Sequence, residues 1–175
     1  IAAILRDSIC RGRPRHVWIS VSRELLLDAQ RDLRDVQMLN VPVHDGSQLL
    51  DQSRSGSTKQ KGLGLSSSLS KGVLFMTYSL LISTKRMEDI VRWLSGTTQP
   101  KKKKPTQPAT ATTTMAAASE EEQEQAALLF DGCIIFDEAH KAKNLDADTR
   151  TAKLVIELQR RLPNARIVYC SATGV

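Results

Sequence analysis

The sequence predicts an α/β fold, a three-layer sandwich in which a mainly parallel sheet is covered by helices on both faces. Three observations carry this. Short apolar runs alternate with stretches whose apolar residues recur every three or four positions, so strands and helices take turns along the chain. The run Cys133-Ile134-Ile135-Phe136 has no polar interruption, as a strand buried on both faces requires. It passes directly into Asp137, Glu138 and His140, and open α/β sheets gather their sites at the carboxyl ends of such strands.

Taken in order, Ile1, Ile4, Leu5 and Ile9 give one apolar face to a helix over Ile1 to Arg11, which Gly12 and Pro14 end. Val17 to Val21 predicts the first strand, and Ser22 can cap a helix over Arg23 to Val36 that turns Leu26, Ala29, Leu33 and Val36 inward. The other face mixes Arg23, Arg31 and Arg34 with Asp28, Asp32 and Asp35, the pattern of a solvated surface. Val41-Pro42-Val43 is a short second strand, with Pro42 placing it at an edge or a strand start. Residues 51–70, rich in Ser, Gly and Lys, predict a mobile loop; Gly62-Leu63-Gly64 lies inside it without a lysine at phosphate-loop spacing.

Gly72 to Met76 is the third strand, ending in Thr77-Tyr78-Ser79, and Met87, Ile90, Val91 and Leu94 mark a helix with Trp93 near its end. Residues 96–125 predict a low-complexity insertion: a lysine run, prolines and a Thr/Ala tract cannot bury enough apolar surface to fold. Glu120, Glu121, Glu122 and Glu124 begin a short helix reaching about Phe130. The fourth strand is Gly132 to Phe136, and a helix from about Ala147 to Leu162 follows, with Leu154, Val155, Leu158 and Leu162 inward and Pro163-Asn164 closing it. Arg166 to Cys170 is the fifth strand, leading into Ser171-Ala172-Thr173-Gly174.

Composition bounds the function. A chain of 175 residues supports one domain, residues 1–175, whose core must be aliphatic because aromatics are only 4%. The charge of +6 is local, four of it in Lys101 to Lys104, a run that suits nuclear targeting or nucleic-acid contact, although a bare lysine run is usually a solvated tract. Cys10, Cys133 and Cys170 are widely spaced and two fall in strand patterns, which argues against a disulfide or metal set and for a reducing compartment. No apolar run has the ~20 residues a membrane span needs. Arg6 and Asp7 interrupt any signal-peptide pattern, and the absence of an initiating Met suggests a truncated chain.

The chemistry lies in the acids. One carboxylate at a strand end can hold Mg2+ through its water shell while its neighbour orients or deprotonates an attacking water, which is Walker B chemistry in DEAH form. An ordinary strand with a solvated turn is the plainer reading of Asp137 and Glu138 taken alone. One helix later a second strand ends in Ser171 and Thr173, and a right-handed crossover places both polar ends on one rim of the sheet. Hydroxyls beside such a site can signal the presence or loss of a phosphate.

At these residues the chain resembles the first RecA-like domain of superfamily 2 DExD/H helicases, a P-loop NTPase fold. More closely, it resembles the helicase-like domain of strawberry notch proteins. The blocks that carry this are Trp18-Ile-Ser-Val-Ser22, Asp28-Ala-Gln-Arg-Asp-Leu-Arg-Asp35, Gly72-Val-Leu-Phe-Met-Thr-Tyr-Ser79, Phe136-Asp-Glu-Ala-His-Lys-Ala-Lys-Asn144 and Leu162-Pro-Asn-Ala-Arg-Ile-Val-Tyr-Cys-Ser-Ala-Thr-Gly174. The resemblance implies that Asp137 binds the Mg2+ of ATP, Glu138 positions the hydrolytic water, and His140 couples the nucleotide to a second RecA-like domain downstream. It implies that Ser171 and Thr173 link hydrolysis to nucleic-acid movement, and that Ser20, Ser22, Thr77, Tyr78 and Ser79 face the nucleic-acid backbone. Strand-end hydroxyls also cap helices, so for those five both readings stand.

The family's phosphate loop, a GKGR-like sequence before the first helix, does not occur in these residues. The resemblance thus implies a partial RecA-like domain of an ATP-dependent, nuclear helicase-like protein, acting on nucleic acid or chromatin in transcriptional regulation, with transcription factors among its partners. The alternative is a noncatalytic scaffold in a transcriptional assembly. The fragment alone is expected not to turn over ATP.

Overall fold

The computed structural model describes residues 1–51, 70–82, 84–96, 125–140 and 150–172. The expected loop over 51–70 and insertion over 96–125 fall almost entirely outside them. Helix α1 (Ala2–Cys10) precedes strand β1 (Arg15–Ser20); a 3-10 turn (Arg23–Leu25) leads into α2 (Leu26–Asp35). Then come β2 (Val43–Asp45), α3 (Gly46–Asp51), β3 (Gly72–Thr77), α4 (Tyr78–Leu81) and α5 (Thr84–Ser95). The last described elements are a helical turn at 125–128, β4 (Cys133–Phe136), α6 (Arg150–Arg161) and β5 (Arg166–Tyr169).

The five strands form one sheet in the order β2-β3-β1-β4-β5, and every pairing is parallel. Alternation along each strand divides the core in two. Trp18, Val73, Phe75, Cys133 and Ile135 pack with Leu5 of α1 and Ala29 and Leu33 of α2. Val17, Ile19, Leu74, Met76, Ile134 and Phe136 pack on the other face, against α4, α5 and α6. These are the three layers the sequence predicts. The central strands β1, β3 and β4 are buried on both faces, so each fully enclosed Ile or Phe contributes about 1.5–3 kcal/mol by leaving water.

Register and close approach are fixed at the amino-terminal ends of the strands. His16 is wholly buried; its Nδ1 accepts from the Cys133 N–H at 3.0 Å, and its Nε2–H donates to the Arg13 carbonyl at 2.9 Å. It therefore stands as a neutral imidazole bridging β1 and the start of β4. Burial pushes its pKa down, with the Arg13 charge adding to the effect while the Arg13 hydrogen bond and Asp131 oppose it. Gly72 takes φ 127°, and a Cβ there would stand 2.5 Å from the Pro42 carbonyl oxygen, so only glycine lets β3 meet the chain entering β2.

Candidate functional site

The registers place Thr77, Ser20, Asp137 and Cys170 side by side in one row across the carboxyl rim of the sheet. Backbone bonds carry the ladder past the strand ends: Asp137 N–H donates to Ile19 O (2.8 Å), Cys170 N–H to Phe136 O (2.9 Å) and Ala139 N–H to Cys170 O (2.7 Å). The acidic turn is thus anchored to a strand on either side.

Asp137 is the centre of this row. Its Oδ2 accepts from the Ser20 hydroxyl at 3.1 Å and from the Trp18 indole N–H at 3.3 Å, and its Oδ1 accepts from the Glu138 N–H at 3.0 Å. Its carbonyl accepts from the Tyr78 hydroxyl at 2.8 Å. Burial, reinforced by the Asp137 charge and then by Tyr169, Cys170 and Glu138, pushes the Tyr78 phenol well above its usual range, so it stays a donor. Cys170 is also raised, by burial first and with Asp137 adding to the effect.

Glu138 sits at φ 51°, left-handed backbone that a side-chain-bearing residue adopts at a cost. The twist brings its Oε2 to 3.0 Å from His140 Nδ1, which also lies 3.1 Å from the Ser171 hydroxyl. A carboxylate only accepts, so Nδ1 carries the hydrogen in the Glu138 contact. Glu138 and His140 are each about one-third exposed, open to a ligand from the rim side.

The structure brings together Asp137, Glu138, His140 and Ser171; Thr173 lies outside the described residues. The five residues expected on the nucleic-acid face separate. Ser20 is a correction: it is fully buried and gives its hydroxyl to Asp137, because β1 ends level with the acid. Tyr78 likewise turns its hydroxyl to Asp137. Ser22 caps the 3-10 turn through the Glu24 N–H at 3.2 Å and lines a groove of about 810 Å³ with Arg23, Leu26, Val43 and His44. Thr77 and Ser79 pair their hydroxyls at 2.8 Å at the rim. Trp18, quoted in the sequence only as part of a block, reaches the acid through a register that links residues 119 apart in the chain.

No group of three or more His, Cys, Asp or Glu able to cage a metal occurs among the described residues. The donors present suit a different arrangement: hard carboxylate oxygens, few in number, match Mg2+ that keeps several waters and takes phosphate oxygens as its other ligands. Among the described residues no helix is long and apolar enough to cross a membrane.

An all-parallel sheet in three layers, with paired acids at the end of a buried strand, defines a RecA-like P-loop NTPase fold. The chain belongs to the family described as P-loop containing NTP hydrolase pore-1, which matches residues 1–101 and 125–175. Its relatives are strawberry notch proteins, as the resemblance implies. It is 39% identical to chicken protein strawberry notch homolog 1 and 36% to the Caenorhabditis elegans strawberry notch homolog, in each case over 99% of this chain. Protein FORGETTER 1 of Arabidopsis thaliana is 31% identical over the same share. The chain spans only 12%, 8% and 11% of those three proteins. No solved structure matches it.

Proposed function

We propose that the chain forms part of an ATP-dependent helicase-like protein that acts on nucleic acid or chromatin in transcriptional regulation, and that it supplies the acidic half of the ATP site. The observation that carries this is the contact set Glu138–His140–Ser171 beside Asp137, which joins the ends of β4 and β5. Asp137 would hold Mg2+ through water and Glu138 would orient the hydrolytic water. Bound Mg2+ would supply charge neutralisation for the phosphates.

In this reading His140 receives the state of the nucleotide from Glu138 and passes it to Ser171, and from there toward Thr173 and a second RecA-like domain. Ser22, Thr77 and Ser79 keep rim positions that suit contact with a nucleic-acid backbone. Partner transcription factors and a nuclear location belong to the same proposal, with Lys101 to Lys104 the basic run that fits it. The phosphate-holding loop would come from outside residues 1–175, so the isolated chain is expected not to turn over ATP.

The test is nucleic-acid-stimulated ATPase of the full-length protein with and without Glu138→Gln. A general base contributes about 10²–10⁴-fold, so the variant should fall by at least about 100-fold. Equal rates would overturn the catalytic assignment and leave the noncatalytic scaffold.

A further inference from the structure

We propose that Trp18 and Ser20 are positioning residues for Asp137, fixing which of its oxygens is offered to the metal; this rests on reading Asp137 as the Mg2+ carboxylate. An ionised carboxylate has about four acceptor positions, two on each oxygen. Both positions on Oδ2 are filled, by the Trp18 indole and the Ser20 hydroxyl, and one on Oδ1 is filled by the Glu138 N–H. One remains, on Oδ1, and it points the carboxylate in a single way. Trp18 is 5% exposed and Ser20 is fully enclosed, so water does not readily replace either donor.

The alternative is that Trp18 serves packing alone. It does pack, with its ring centroid 6.0 Å from that of Phe75 in a tilted arrangement. Packing, however, does not require an N–H directed at a carboxylate, and Leu or Phe would fill the same face. Two donors from one face of one strand, two residues apart, meet the same oxygen because β1 pairs with β4 in a register that sets Ser20 beside Asp137. Partners that orient a metal ligand are typically worth about 10–100-fold in metal affinity.

The test uses the full-length protein and Mn2+ as the probe, its binding followed by electron paramagnetic resonance in the presence of saturating ADP. Trp18→Phe keeps an aromatic ring and removes the donor; Ser20→Ala removes one oxygen; Ser20→Thr restores a hydroxyl. Trp18→Phe and Ser20→Ala should each weaken Mn2+ binding about 10-fold, while Ser20→Thr binds as the parent does and metal-free ADP affinity is unchanged in all three. If Trp18→Phe does not fold, the Ser20 pair decides. Unchanged Mn2+ affinity in the donor-removing variants, with Asp137→Asn still losing it, overturns this proposal and leaves the ATP-site reading standing. Unchanged affinity in Asp137→Asn overturns both.

Discussion

Lowering the pH should loosen the seam between β1 and β4 through His16. Its Nδ1 already accepts from Cys133 N–H and its Nε2–H is already given to Arg13, so a second proton has no place to go without setting two donors against each other. The folded pKa is therefore depressed below 6.5, its ordinary value. As pH falls through that ordinary value the unfolded chain takes up the proton first. The His16 contribution is thus complete above about pH 6.5 and is lost toward the depressed folded pKa, at about 1.4 kcal/mol per pH unit. His16→Asn keeps an acceptor near the Cys133 amide and cannot titrate. It should cost about 1–3 kcal/mol at pH 7.5, from one lost hydrogen bond and a small cavity. Urea denaturation of both proteins at pH 7.5, 6.5 and 5.5 measures the difference; His44 and His140 are common to both and cancel. The gap should shrink as the pH falls. A gap that stays constant over this range refutes the reasoning.

Three further substitutions test the frame of the site. Gly72→Ala places a methyl group against the Pro42 carbonyl at a φ that favours glycine, and thermal unfolding should show a loss of about 1–3 kcal/mol. Ile135→Ala, at a fully buried position in the middle of β4, should cost about 2–5 kcal/mol in denaturant titration. Glu138→Gly should be more stable than Glu138→Ala by about 1 kcal/mol, because glycine relieves the left-handed backbone that alanine retains; thermal unfolding of the two, measured side by side, decides it.

The strands were legible because their aliphatic runs report burial directly, and their ends were not because ends depend on partners. β1 begins at Arg15, two residues before the apolar run, since His16 is satisfied by backbone from two other segments and can be buried despite its polarity. Val21, apolar enough to extend the strand in sequence, is 43% exposed beyond its end. β2 is Val43–Asp45 and not Val41 to Val43: the parallel pairing to β3 starts where the Pro42 carbonyl receives the Val73 N–H, a fact of tertiary register. In α1 Leu5 is buried and Ile1 and Ile9 pack beside it, as their spacing predicts, while Ile4 is exposed and Ala2 and Ser8 complete the inward face, small residues whose hydropathy does not announce burial.

The same distinction runs through the site. Asp137, Glu138, His140 and Ser171 are close in sequence or joined by one crossover, so motif chemistry locates them. The contacts of Trp18, Ser20 and Tyr78 with Asp137 span 119, 117 and 59 residues and exist only through strand order. β1 lies between β3 and β4, so the strand ends carrying Thr77 and Asp137 are not neighbours. Whatever links the two must cross the end of β1. The structure crosses it twice, through Ser20 within the rim row and through Tyr78, which reaches over that row to the Asp137 carbonyl. Tyr78, between Thr77 and Ser79 in the chain, therefore ties their segment to the acid by a hydrogen bond to its backbone.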